Sequence, residues 1–383
     1  MIATYERWRE ERFFPRLEGI RAVAALLVVF HHARAHWLWG AVAGWNGVTL
    51  FFVLSGFLIT TLGLREEERL GALRWGAFFV RRVFRILPLY VVSLGLYAGL
   101  VLVVGLGAAH RESFVHALPW YLSPFPEHVF FGRAHAAFAL SWSLGIEEKF
   151  YFVWPLLAFV LLRRRFRARL AVALAAGVAF QVPVAIWAGG RVVAPYTAIL
   201  AGCALAFLMH RPSTFAHVAK LGTRRGLALS FGALLGVHVL TSVLLPMSNY
   251  AQVATPFYYL PYSLAAAAFV ASVALRSRGS GLLETPPLRF GGRVSYGLYL
   301  IHPIGLAFAE RAVPAGGIAH ETIALALGIS LSLGAAYALH RVVERPLIRA
   351  GRRLAARETF VLFEPWTRRG SPSSSPATTT AVS

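Results

Sequence analysis

LEGIRAVAALLVVFHHARA, residues 17–35, is the stretch whose reading decides the fold. It reads as a helix whose uncharged centre, Ala22 to Phe30, is only nine residues long. At 1.5 Å per residue that centre falls far short of the ~30 Å of hydrocarbon in a bilayer. To cross, the helix must carry Arg21 at one end and His31 or His32 at the other into the membrane. Ionisable groups at such depth are expensive, and they mark a protein interior or wet cavity where they serve a function. Arg21 and His32 stand eleven positions apart, which places them within about 20° of one helix face and roughly 16 Å apart along the axis. His31 is about 100° away from that face. One face thus offers a fixed cation near one end and a titratable imidazole near mid-depth.

The composition extends this reading to the whole chain. Hydrophobic residues make up 57% of the 383, and the mean hydropathy is +0.60, above that of an ordinary soluble domain. The net charge of +21 is carried by short arginine clusters at the ends of apolar runs. That is a topology signal, and it excludes a basic domain built to wrap nucleic acid. Cys203 is the single cysteine, so disulfides within the chain and multi-cysteine metal sites are excluded. Met1 to Arg16 is charged and aromatic and leads into the first apolar helix, so no cleavable signal is expected.

Ten candidate spans follow from the hydropathy pattern: 18–38, 47–64, 86–106, 140–162, 170–188, 192–209, 227–245, 257–275, 295–313 and 322–343. Alternate connections collect the arginines: Arg7, Arg9, Arg12 and Arg16; then Arg65 through Arg85; then the RRRFRAR run at 163–169; then Arg211 to Arg225; then Arg276, Arg278, Arg289 and the C-terminal set. The other connections hold Arg111, Arg133, Arg191 and Arg311. The positive-inside rule therefore predicts an all-α polytopic protein of the cytoplasmic membrane, with both termini cytoplasmic. Residues 1–350 are expected to form the membrane domain and 351–383 a basic, disordered tail, low in complexity from Arg368. The long connection 107–139 carries His110, His116, His128 and His135 among aromatics. It either covers an outward-facing site or lies on the membrane interface, and its histidines lack metal-ligand spacing, so no metal is expected.

Polar residues inside apolar segments are the candidate site. Glu147, Glu148 and Lys149 interrupt the fourth span. One carboxylate is expected to pair with Lys149 or an arginine and the other to orient a histidine, since a carboxylate on one imidazole nitrogen raises the basicity of the other. A purely structural ion pair explains the same residues. Arg82 and Arg85 lie one turn apart beside Arg81; they suit a phosphorylated donor, and ordinary positive-inside anchoring accounts for them too. Arg21 enters from the same side and could share the ligand. Ser295, Tyr299 and His302 fall at i, i+4 and i+7 on one stripe, either joining helices or lining a substrate cavity. Ser55–Gly56 reads as a close-approach pair, with a serine nucleophile the weaker reading. Glu344, Arg345 and Pro346 are expected to stop the last span.

With these motifs in order, the chain resembles the membrane acyltransferase-3 family, the O-antigen acetylase-like integral membrane acyltransferases. LEGIRAVAALLVVFHH, FFVLSGFLIT, RRVFRILPLY, WSLGIEEKFYFVWPLL, GRVSYGLYLIHP and VERPL occur in the family's order across residues 15–350. The resemblance implies transfer of an acyl group from cytoplasmic acyl-CoA to a hydroxyl of a sugar or other acceptor. It also implies essential roles for Arg21 and His32 and a functional Arg82–Arg85 pair. In the sixth span Pro195 and Thr197 stand where many members carry an arginine and an aspartate, which bears on the acceptor more than on the reaction. No appended hydrolase-like domain is seen, so a stand-alone enzyme is expected.

The resulting expectation is an O-acyltransferase. His32, with Glu147 or Glu148, is the catalytic base; Arg21, Arg82 and Arg85 bind the acyl-CoA; Ser295, Tyr299 and His302 bind the acceptor. Direct transfer and an acyl-histidine relay are both open. The alternative is a transporter or flippase of a lipid-linked sugar that uses the buried charges as a proton relay.

Overall fold

The computed structural model describes residues 4–11, 14–33, 42–106, 110–131, 136–182, 192–244, 256–276, 281–314 and 316–357. The last residues of the first, fifth and seventh sequence-predicted spans, together with Arg12, Arg133, His135, Arg191, Arg278 and the tail beyond Arg357, lie outside them. Among the described residues the chain is all-helical. The helices are α1 (Tyr5–Glu10), α2 (Pro15–His32), α3 (Asn46–Leu70), α4 (Trp75–Ala98), α5 (Arg111–Tyr121), α6 (Glu127–Phe131), α7 (Trp142–Pro155) and α8 (Phe166–Ala179). They continue with α9 (Tyr196–Met209), α10 (Pro212–Val218), α11 (Arg224–Leu244), α12 (Pro256–Ala274), α13 (Pro286–Ala312), α14 (Gly317–Leu339) and α15 (Arg345–Arg357).

Local chemistry sets the ends. Pro15, Pro212 and Pro286 each begin a helix, where the missing N–H has no intrahelical partner to lose. Gly71 closes α3 at φ 77°, a left-handed conformation that glycine adopts without steric cost. Glu344, Arg345 and Pro346 do not stop the last helix. Pro346 cannot donate to the Val342 carbonyl, and the chain answers with a π turn over His340–Glu344 and runs on through α15. Glu344 pairs with His340 Nδ1 at 2.9 Å. The helical body therefore reaches Arg357, and residue 350 falls inside a helix.

Among the described residues four helices are long and apolar enough to cross a membrane: Asn46–Leu70, Trp75–Val103, Arg224–Val243 and Gly317–Arg357. Tyr196–Met209 and Pro212–Gly222, bent by 115°, qualify together as a fifth, while Tyr258–Ala274 is apolar but shorter. Arg16, Glu18 and Arg21 in α2, and Glu147, Glu148 and Lys149 in α7, make these two helices too polar to stand alone in lipid.

Missing side chains let the helices approach. A Cβ on Gly56 of α3 would overlap the Ile199 carbonyl of α9, and one on Gly202 of α9 would overlap the Val53 carbonyl in return. Gly292 of α13 sits against the Glu18 carbonyl of α2, Gly305 of α13 against Ser332 of α14, and Gly351 of α15 against Phe84 of α4. This small-residue contact is how helices pack when lipid offers no hydrophobic gain from association. At the arginine-rich end the connections are pinned by charge. Arg169 grips Glu67 with two bonds of 2.6 and 2.8 Å, Arg81 meets Glu66 at 2.8 Å and Arg16 meets Glu284 at 2.9 Å. At the other end α6 folds onto α7 through Glu127 and Lys149 at 2.7 Å. Lys149 thus pairs across the fold and not with its neighbours Glu147 and Glu148. An adjacent residue on a helix points about 100° away, whereas α6 delivers Glu127 directly to it.

Gly56→Val is expected to lower stability by about 3 kcal/mol or more, because a backbone carbonyl cannot move aside as a side chain can. Gly95→Ala, where a Cβ meets nothing within 4 Å, is expected to leave it unchanged or slightly raised. Thermal unfolding of the detergent-solubilised variants, followed by tryptophan fluorescence, measures both.

Candidate active site

Five helices line a partly open cavity of about 110 Å³. Each brings polar groups that its own apolar sequence would otherwise exclude. α2 contributes Arg21, α3 contributes Ser55, α4 contributes Arg82 and Arg85, α7 contributes Ser143, Glu147 and Tyr151, and α13 contributes Ser295, Tyr296 and Tyr299. Arg82 also borders a second, wider opening at the arginine-rich end, of about 720 Å³, lined by Arg65, Arg69, Arg74 and Arg81 together with Glu6, Glu10, Glu66 and Glu68. It therefore stands at the wall between the inner cavity and that opening.

Glu147 is the sole carboxylate among the described residues that line the inner cavity, against the guanidiniums of Arg21, Arg82 and Arg85. Its two oxygens are already engaged: Ser55 Oγ donates to Oε1 at 3.0 Å and the Tyr151 hydroxyl donates to Oε2 at 2.6 Å. Tyr151 and Glu147 are one turn apart on α7, so the tyrosine reaches back along its own helix face. Arg82 stacks over the Tyr151 ring at 5.7 Å and over Phe78 at 5.4 Å. A planar cation held over aromatic faces keeps its N–H edge free for a planar or tetrahedral anion. Pro88, three residues after Arg85, removes a helical N–H from α4. The Tyr296 hydroxyl donates to the Ile86 carbonyl at 2.9 Å, tying α13 to the arginine-bearing stretch.

The histidines occupy a separate place. His32 leaves its side chain accessible, and its Nδ1 donates to the Val28 carbonyl at 2.9 Å. A carbonyl only accepts, so the neutral ring must carry its proton on Nδ1 and present Nε2 as a lone pair. His302 is fully buried, its ring centroid 4.9 Å from that of His32. His31 lies 5.0 Å from His32 on the other side and packs against Trp45.

The sequence-predicted residues thus divide. Arg21, Arg82, Arg85, Glu147, Ser295 and Tyr299 share the cavity, with Ser143 Oγ and the Tyr299 hydroxyl 2.8 Å apart. His32 and His302 meet each other outside its lining. Glu148 is half-buried and lines neither place. The expected carboxylate–imidazole contact is absent among the described residues: Glu147 is taken by Ser55 and Tyr151, and His32 by the carbonyl one turn back in its own helix. In an apolar span that carbonyl is the nearest acceptor. Tyr151 was not foreseen; its i+4 spacing from Glu147 was the available signal. Ser55, read as a packing residue or nucleophile, is a donor to the buried carboxylate.

Comparison with known proteins places the chain. Residues 14–341 match the family model described as an acyltransferase domain, the acyltransferase-3 family. The chain belongs to that family. Over 93% of its length it is 30% identical to YrhL of Bacillus subtilis, named as a candidate peptidoglycan O-acetyltransferase. Over 90% of its length it is 27% identical to the O-acetyltransferase OatA of Staphylococcus aureus. It spans 58% and 59% of the length of those two proteins. No solved structure matches it. Membership in an acyltransferase family does not favour the transporter reading.

Glu147→Ala strands two hydroxyl donors beside buried guanidiniums and is expected to cost about 2–3 kcal/mol of stability. Tyr151→Phe leaves Glu147 bonded to Ser55 and is expected to cost about 1 kcal/mol. Equal losses for the two variants in thermal unfolding would show that the carboxylate is not the hub of this network.

Proposed function

We propose that this enzyme moves an acetyl or other short acyl group from acyl-CoA to a sugar hydroxyl of an envelope polysaccharide, with peptidoglycan the first acceptor to test. The observation that carries the reading is the meeting of Arg21, Arg82 and Arg85 on one cavity that Arg82 links to the arginine-rich opening. Guanidiniums in that arrangement suit the phosphates of coenzyme A, whose pantetheine arm is long and thin enough to pass between helices. The acceptor class follows from the relatives, one named for peptidoglycan and both for O-acetyl transfer.

His32 is the base of this reaction. Its Nε2 takes the proton of the acceptor hydroxyl as the oxygen attacks the thioester carbon; the C–O bond forms and the C–S bond breaks. The thiolate then takes the proton from the imidazolium, which restores the lone pair. No covalent enzyme intermediate is needed. Arg21 and His32, three turns apart on α2, span the distance between donor phosphates and the reacting carbonyl. The topology that suits this chemistry is ten spans in the cytoplasmic membrane with both termini inside, so that the donor arrives from the arginine-rich side and the acceptor from the other. Ser295 and Tyr299 line the cavity and serve the substrate rather than the proton.

The test is acetyl transfer from radiolabelled acetyl-CoA to muropeptides by the chain in proteoliposomes. Arg82→Ala and Arg85→Ala are each expected to raise KM for acetyl-CoA by about 10-fold or more with a smaller effect on kcat, the loss of a charge-assisted bond to phosphate. His32→Ala is expected to lower kcat by about 100-fold or more with KM little changed. Transfer by the His32 variant at the wild-type rate would sink the assignment of the base.

A further inference from the structure

His302 is buried to 0% exposure, yet its Nε2 has no hydrogen-bond partner among the described residues. A buried imidazole nitrogen left bare is costly, and such an atom calls for an explanation. The local sequence explains its orientation. Pro303 has no N–H, so the helical bond that residue 303 would donate to the Tyr299 carbonyl cannot form. His302 Nδ1 fills that vacant acceptor instead, donating at 2.8 Å to Tyr299 and at 3.2 Å to Leu298. The His-Pro pair therefore locks the ring with its proton on Nδ1 and its lone pair on Nε2. His32, locked in the same tautomer by Val28, packs against it with ring centroids 4.9 Å apart. Both rings therefore carry an unprotonated Nε2, and either can accept a proton that the other holds. No carboxylate or cationic side chain hydrogen bonds to either ring among the described residues.

We propose that His302 is the positioning residue of His32, its Nε2 accepting a hydrogen bond from the proton that His32 removes from the acceptor hydroxyl. This rests on the reading of His32 as the base. The O–H bond breaks and an N–H bond forms at His32. His302 holds that imidazolium in place and keeps its own Nδ1 proton throughout. When the thioester C–S bond breaks, the proton passes from His32 to the leaving thiolate, and both lone pairs return. A backbone-locked neutral histidine thus takes the part that the sequence assigned to a carboxylate. It supports the base without adding a permanent negative charge to an apolar interior, where such a charge carries a large desolvation cost.

The experiment is thiol release from acetyl-CoA by the full chain in nanodiscs, with water as the acceptor probe, alongside thermal unfolding of each variant. His302→Phe is expected to lower kcat by about 100-fold while KM for acetyl-CoA stays at the wild-type value. His302→Gln restores an acceptor atom near Nε2 and is expected to stay within about 10-fold of wild type. Pro303→Ala returns the N–H to the Tyr299 carbonyl, displacing the His302 bond. It is expected to lower kcat by about 10-fold while stability is unchanged or raised. Wild-type kcat in Pro303→Ala, or a Gln variant as impaired as the Phe variant, overturns the pairing whether or not the Phe variant folds. His32→Ala separates the two ideas: wild-type turnover there removes the base itself, whereas a dead His32 variant beside unimpaired His302 variants removes only its partner.

Discussion

A guanidinium taken out of water must be met by an anion, by hydrogen-bond acceptors or by an aromatic face, and this bundle answers that demand incompletely. Arg21, Arg82 and Arg85 line one cavity with Glu147 the only carboxylate among its described walls, and both oxygens of Glu147 already accept from hydroxyls. The proposed anionic donor would meet the positive charge left over there, and a neutral ligand would leave the desolvation cost standing. Elsewhere in the chain the same residue type is matched: Arg169 by Glu67, Arg81 by Glu66, Arg16 by Glu284. Among the described residues the arginines at the end of the bundle close ion pairs at 2.6 to 2.9 Å, whereas Arg21, Arg82 and Arg85 feel Glu18, Glu147 and Glu344 only at longer range.

That cavity exists because five helices come together closely enough to share it. Glycines at 56, 202, 292 and 305 put backbone against backbone, which substitutes for the hydrophobic drive that lipid cannot supply. Prolines add a second device by deleting helical hydrogen bonds at chosen carbonyls. Pro346 opens a π turn and lets the final helix continue to Arg357. Pro303 frees the carbonyl that orients His302. In both cases a residue that reads as a helix breaker leaves the helix running and redirects one acceptor.

Much of this was legible in the chain itself. An all-helical protein follows from apolar runs without strand periodicity, and the short uncharged centre of residues 22–30 marked α2 as a helix that needs protein around its polar ends, where Arg21 lines the cavity. Glu147 and the three arginines stood out because charge in an apolar segment is rare. Other features were hidden for a definite reason. Lys149 and Glu127 are 22 positions apart with α7's own carboxylates nearer in sequence, so only the folding of α6 onto α7 could pair them. Tyr151 carries an apolar ring, and nothing but its neighbours reveals that its hydroxyl serves Glu147.

The stretch 17–35 shows the division most clearly. By itself it determined that Arg21 and His32 share a face and stand three turns apart, since helix geometry depends on spacing alone. It determined too that His31 and His32 cannot be equivalent. What His32 faces was decided by tertiary structure, because a partner on another helix is set by packing and not by sequence distance. The carboxylates of α7 looked suited to the role, but a tyrosine and a serine had already claimed one of them. The ring beside His32 is His302, 270 positions away along the chain, brought there by the glycine contact of α13 with α2 and held by the carbonyl that Pro303 leaves free.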